Sequence, residues 1–346
     1  MAPSRYGLLS ANQAEYQFGG AEAIMAFWQQ RNSIVAIIIL TSLTATTKAA
    51  EYPASSIRLI VPFPPGGSSD LTARVFMTHL SERLKQTIVI ENRPGGDGML
   101  GPTAVARSRP DGYTLLLGAP TLATVRATMK TLPIDPIKDL DAVSQLVESP
   151  YVVAVNASLP VTDLKSFVAY TKANPGKLNY GSWSTGGQLT YGFFKQLTGA
   201  DLTHVGYKGE AITMAAVGAN EVQAAFGTSV NVIAGIKSGT MRALAVTGNK
   251  RLSSLPEVPT TEEAGVRGFV ATIWFGVFAP AGTPEDIKTM LSTELLKIAK
   301  LDDVISRLGV AGLITKASTP TEFAKFVSAE EKQWLDIARL VGITPQ

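Results

Sequence analysis

The run Pro62-Phe-Pro-Pro-Gly-Gly-Ser-Ser-Asp70 follows the apolar segment Ile57–Val61 directly and precedes a helical pattern. Its prolines stiffen the exit from an extended segment. Gly66 and Gly67 admit positive φ and let a ligand approach the main chain. Ser68, Ser69 and Asp70 are residue types that cap helices. The first-turn N–H groups of a helix have no intrahelical partner, and the aligned peptide dipoles make that end partly positive. Strand, glycine turn and helix N-terminus together form an anion-binding arrangement. The arrangement recurs: "YGSWSTGG" (180–187) carries Ser182, Trp183, Ser184, Thr185 and Gly186, and "YKGE" (207–210) carries Tyr207, Lys208 and Gly209. In "GAPTLAT" (118–124), Thr121 follows a third apolar run. Ligands of open α/β sheets bind at the carboxyl ends of the strands. Four such loops therefore predict a cleft lined by backbone amides, hydroxyls and one lysine, which suits a carboxylate. Phe63 and Trp183 fall within these loops, and Trp183 there would offer a flat ligand a stacking platform.

Other chemistries fit less well. The chain of 346 residues has no cysteine, which removes thiol catalysis, disulfides and cysteine-ligated metals. Its two histidines, His79 and His204, do not suggest a multi-histidine metal centre. A serine hydrolase would need Ser182 or Ser184 with one of those histidines, but "GSWSTGG" lacks the G-x-S-x-G spacing. No Walker loop is present, and Gly96, Gly98 and Gly101 match a dinucleotide fingerprint only ahead of Pro102 and a short helix. Asp302-Asp303 and Glu262-Glu263 read as solvated acidic pairs. The net charge of +3, with no basic stripe, argues against nucleic acid. No cofactor or metal is expected.

The elements that position these loops alternate. "IRLIVPF" (57–63), "TIVIEN" (87–92) and "GYTLLLG" (112–118) read as strands separated by helices at 70–85 and 102–108. A second series follows, with strands at 151–156, 177–182, 202–207, 222–226 and 242–247. Helices are predicted at 160–176, 188–198, 210–218 and 229–237, the first capped by Thr162 or Asp163. This is an α/β pattern with two doubly wound units. "SPYVVAVNASLPVTDLKSFVAY" (149–170) is echoed by "ATIWFGVFAPAGTPEDIKTML" (271–291). These are taken as the two crossings between lobes, giving 52–153 plus 275–346 as one lobe and 154–274 as the other, with Trp274 and Phe275 as hinge packing. At the N-terminus, Arg31, the apolar core 33–45 and the small residues at 47–50 form a signal-peptide pattern starting at Met25. Residues 1–24 read as an upstream extension, so 1–50 are set apart from the fold.

The mature chain resembles the Bug-type extracytoplasmic solute-binding proteins of the tripartite tricarboxylate transporter family. The motifs, in order, include "LIVPFPPGGSSD", "IVIENRPGGDGMLG", "ARSRPDGYTLLLG", "LPIDPIKDL", "HVGYKGEAIT", "RALAVTGNKR" and "WFGVFAPAGTP". The resemblance implies a type II periplasmic-binding-protein fold of two lobes joined by two crossover strands. It also implies export to the periplasm, a small carboxylate ligand, a two-subunit membrane permease as partner and a monomeric receptor. Carried over by position, ligand contacts would come from Phe63, Gly66, Gly67, Ser68, Ser69 and Asp70, faced by Ser182, Thr185, Gly186, Tyr207, Lys208 and Gly209. The chain departs from the pattern at "TLATVR" (121–126), in a shorter loop after Tyr180, at Gln188, and at Gly227, where relatives often carry an aspartate able to meet a ligand amine. Loss of that acid argues against an amino-acid ligand. A ligand sensor for a membrane kinase is the alternative role.

Overall fold

The computed structural model describes residues 52–345, so the extension and signal segment read at 1–50 lie outside the described residues. In chain order the strands are β1 (Ile57–Val61), β2 (Ile88–Asn92), β3 (Thr114–Gly118), β4 (Leu140–Pro150), β5 (Val152–Asn156), β6 (Asn179–Ser182), β7 (Thr203–Gly206), β8 (Ala224–Gly227), β9 (Met241–Val246), β10 (Thr272–Pro280) and β11 (Ile314–Thr315). The helices are α1 (Ser68–Leu84), α2 (Leu100–Ala106), α3 (Thr121–Thr128), α4 (Leu164–Ala173), α5 (Thr185–Thr198), α6 (Glu210–Gly218), α7 (Ser229–Lys237), α8 (Glu285–Ile298), α9 (Asp302–Val310) and α10 (Pro320–Val341).

Two sheets result, ordered β11-β4-β10-β3-β1-β2 and β7-β6-β8-β5-β9. β1 lies parallel between β2 and β3. Four of its five residues are buried, as expected of a strand covered on both faces. β6 likewise lies parallel between β7 and β8. Each sheet also holds an antiparallel member that has crossed from the other series: β10 between β3 and β4, and β5 between β8 and β9. The glycine loops after β1, β6 and β7 therefore leave carboxyl ends of parallel strands, and each opens a helix.

The lobe limits predicted at 153/154 and 274/275 fall inside β5 and β10. Hydrogen-bond pairing sets the division instead. Val152 and Val153 pair with β8 and β9, and Thr272, Ile273 and Trp274 pair with β4. The chain passes between sheets at Tyr151 and again between Val246 and Thr272. The lobes also meet away from these crossings. Leu189 of α5 is fully buried in a cluster with Trp334, Ile337 and Ala338 of α10. Ser229 Oγ donates to the Ala311 carbonyl at 2.5 Å.

Of the predicted helix caps, Asp163 is the one used: its carboxylate accepts from the Ser166 amide, completing a capping box. Several elements were not predicted, α10 and β11 among them. Residues 121–128 read as a loop but form α3 behind Pro120. The eleven-residue β4 carries Ser144, Gln145 and Ser149 inside the sheet, which breaks the apolar alternation that marks a strand. Partners from other segments meet the two serines: Ser318 N–H donates to Ser144 Oγ at 3.2 Å, and Ser149 Oγ donates to the Gly312 carbonyl at 2.7 Å.

Candidate ligand-binding site

The loop after β1 is braced from within. Gly66 takes φ +91°, a left-handed conformation that disfavours a side chain. Its N–H donates to Asp70 Oδ2 at 3.2 Å, and Arg74 Nε donates to the same oxygen at 2.8 Å. Burial opposes ionisation of Asp70, but the hydrogen bonds from Arg74 and Gly66 and the Arg74 charge hold its carboxyl below the usual range. Asn92 Nδ2 fixes the other end of the loop by donating to the Phe63 carbonyl at 3.0 Å. Gly67 is then the N-cap of α1 in extended conformation, and no side chain caps this end. The amide end of a 17-residue helix is thus left open to the cleft at Gly67, Ser68 and Ser69.

The facing wall comes from β6 and β7. After β6, Ser184 caps α5 by accepting from the Gly187 amide at 3.3 Å. After β7, the Tyr207 amide donates to the Ser182 carbonyl at 2.8 Å, tying the two loops together. Gly209 is the uncapped N-cap of α6, and Glu210 is that helix's first residue. The walls touch: a Cβ on Gly209 would sit 3.4 Å from Pro64 Cγ, and Ser68 Oγ donates to Glu210 Oε2 at 3.4 Å.

Between them lies an open cleft. Phe63, Trp183, Ile212, Ile273 and Phe275 give it an apolar lining, and Gly67, Ser68, Ser69 and Glu210 supply its polar groups. The cleft continues past Trp183 to Ser184, Tyr207 and Lys208, facing the turn Gly95–Gly98. In the other direction it reaches Thr121, Thr124, Tyr151, Gly186 and Trp334.

The structure therefore gathers Phe63, Gly67, Ser68, Ser69, Trp183, Tyr207, Lys208 and Gly209 around one cleft, with Thr121 and Gly186 at its end. Thr185 opens α5 beside them. Gly66 and Asp70 shape the loop instead of lining the cleft. Gly227 is also elsewhere, because a Cβ there would collide with Met214 and Val232. Ser182 is 1% exposed and sits behind Trp183. Glu210, Ile212, Phe275 and the Gly95–Gly98 turn were not anticipated. Glu210 stands one residue beyond the predicted Tyr207–Gly209 stretch, and the same strand-turn-helix logic reaches it. The Gly95–Gly98 turn was set aside as a failed dinucleotide loop. Gly95, Gly96, Asp97 and Gly98 all take positive φ there, which bends the loop into the cleft.

Ser182 Oγ lies 2.7 Å from His204 Nε2, the contact a hydrolase would need. The proton arrangement opposes that chemistry. Gln188 Nε2 donates to His204 Nδ1 at 3.0 Å, so Nε2 carries the ring proton and points it at Ser182. Burial also lowers the His204 pKa. Among the described residues no carboxylate is hydrogen-bonded to this ring, and the other histidine, His79, bonds Asp303 at 2.9 Å. Wild type and Ser182→Ala are expected to turn over activated esters at the same background rate. Turnover lost on that substitution would reverse the assignment. Among the described residues, no group of three or more His, Asp or Glu is placed to hold a metal ion.

Residues 72–343 match the tripartite tricarboxylate transporter family receptors. The chain belongs to this family. This receptor is 34% identical over 315 residues to Protein BugT of Bordetella pertussis, covering 90% of this chain and 97% of that one. A solved R. palustris protein with adipate is 33% identical, with TM-score 0.82 over 86% of this chain and 100% of that one. MatC from Rhodopseudomonas palustris, solved with malate, is 30% identical, with TM-score 0.78 over 83% of this receptor and 100% of MatC. The type II periplasmic-binding-protein fold implied by the resemblance is the fold of this receptor.

Proposed function

We propose that this receptor captures a small carboxylate between its lobes in the periplasm and delivers it to a two-subunit membrane permease. The observation that carries the reading is the uncapped amide end of α1 opening into an aromatic-lined cleft, with the Lys208 loop on the facing wall. Adipate and malate bound to two structural relatives support the same ligand class. The permease follows from the family's description, and export follows from the segment at 25–53. Hydrogen bonds to charged groups contribute roughly 1.5–3 kcal/mol each. Four to six of them, less ordering costs, reach roughly −8 kcal/mol, or about micromolar affinity. Four of the candidate contacts act behind the cleft: Gly66 and Asp70 set the loop, and Ser182 and Gly227 set the strand ends.

The test is a thermal-shift screen of the purified protein against mono-, di- and tricarboxylates and aromatic acids. A ligand at 100 times its dissociation constant adds about 2.7 kcal/mol to the folded state. At roughly 2–4 °C per kcal/mol, the melting point should rise by roughly 5–10 °C. Flat melting points across all acids would overturn the carboxylate assignment. Uptake of the identified acid should also fall equally in cells lacking the receptor and in cells lacking the permease subunits. Uptake that survives permease loss would separate the receptor from that transporter.

A further inference from the structure

Glu210 is an acid placed where the proposed ligand is an anion. It is 8% exposed and lines the same cavity as Gly67, Ser68 and Ser69. Its Oε1 is well satisfied, accepting from the Thr228 amide at 2.6 Å and from Thr228 Oγ at 2.5 Å. Its Oε2 faces the helix α1 loop, where Ser68 Oγ donates at 3.4 Å, and the Asn231 side chain lies beside the same carboxylate. Burial pushes the Glu210 pKa up, and the hydrogen bonds from Thr228, Asn231 and Ser68 oppose the rise by favouring the carboxylate form. That form has hydrogen-bonding capacity left on the cleft side.

We propose that Glu210 selects the ligand, admitting a carboxylate that carries a hydroxyl or amine donor close to its carboxyl group and rejecting one that carries a second carboxylate at that position. The inference rests on the carboxylate-receptor reading and sharpens it. A ligand carboxylate held by the amides at Ser68 and Ser69 lies within a few ångströms of Glu210 Oε2. A donor on the adjacent carbon completes the coordination of that oxygen. A second anion there meets a like charge inside a partly dry cleft, where Coulomb repulsion is far stronger than in water. A site built around a buried polar group discriminates strongly against ligands that leave the group unpaired. Specificity then arises from repulsion of the wrong ligand as much as from attraction of the right one.

Three acids on one skeleton test this: 3-phenyllactate with a 2-hydroxyl, 3-phenylpropionate with hydrogen, and benzylmalonate with a second carboxylate. The phenyl group suits the cavity walls at Phe63, Trp183 and Phe275. Titration calorimetry at pH 7.5 should give wild-type affinities in that order, with phenyllactate at least tenfold tighter than benzylmalonate. Glu210→Gln, close in shape, should tighten benzylmalonate and weaken phenyllactate until the ratio is near one. The wild-type ratio needs no variant, so a poorly folding Glu210→Gln would leave the test intact. Equal wild-type affinities, a ratio unmoved by Glu210→Gln, or no binding of the three while other carboxylates bind would overturn the selection by Glu210 and leave the receptor reading standing. Absence of binding by every carboxylate would overturn both.

Discussion

Gly67→Val is expected to weaken carboxylate binding by at least about 100-fold, or about 2.8 kcal/mol, while leaving the protein folded. The position separates the two effects. Gly67 has φ −90°, so a branched residue meets no left-handed strain there. A Cβ at Gly67 would have no atom within 4 Å, so nothing in the fold opposes it. The added side chain enters the cleft where an anion must approach the open amides of α1. The N-cap exchange itself costs about 1 kcal/mol at most, which corresponds to a melting-point loss of roughly 2–4 °C. Calorimetric titration with the acid found in the screen, alongside thermal unfolding, reads both quantities. Unchanged affinity in a folded variant would mean that the α1 end does not hold the ligand. Gly66 offers the contrast. Its φ of +91° makes any side chain strained, so Gly66→Val should lose stability and binding together.

The loops that build the cleft were legible because their chemistry is local. Strand exit, glycine turn and helix start lie within nine residues at 62–70, and the structure keeps them in that order, with Gly67 and not a hydroxyl at the N-cap. Gly227 was not legible as a cleft-free position, because a glycine at a strand end says nothing about which neighbours fill its missing Cβ. Here Met214 of α6 and Val232 of α7 do so, from the helices that precede and follow the strand. The missing acid at 227 was read against an amino-acid ligand. Yet Glu210, from a different loop, binds the Thr228 amide beside it and puts a carboxylate at the same strand end. β4 was invisible for the opposite reason. Its buried Ser144 accepts from the Ser318 amide, and its Gln145 amide donates to Ser318 Oγ, more than 170 residues away, and single-sequence periodicity cannot contain such a fact. The strand echo behind the proposed lobe boundary is local, whereas pairing decides which residues of β5 and β10 belong to which sheet.

Trp274→Ala is expected to destabilise the protein by about 3–5 kcal/mol without contacting ligand. β10 enters the first sheet from the crossing, and its side chains alternate across it. Ile273 and Phe275 line the cleft, while Trp274 points to the opposite face and is fully buried. There it meets Phe323 at 5.6 Å and 89°, and Phe326 at 5.7 Å and 80°. Its indole N–H donates to Glu330 Oε2 at 3.4 Å, and Trp334 donates to the same oxygen at 3.3 Å. Burial pushes the Glu330 carboxyl up, and the two indole hydrogen bonds oppose the rise. A carboxyl whose folded pKa is raised contributes stability below its unfolded pKa and loses it as pH rises through the folded one. Trp274→Phe removes one donor to the charged form and raises the folded pKa further. Its destabilisation should therefore be small at pH 4 and grow to about 1–2 kcal/mol at pH 7.5. Ligand affinity of the folded variant should stay at wild type. Thermal unfolding at the two pH values decides the point. An equal deficit at both would show that Trp274 acts through packing alone and that Glu330 does not depend on its N–H. A loss of ligand affinity in Trp274→Phe would show that the two faces of β10 are coupled, contrary to the separation its alternation implies.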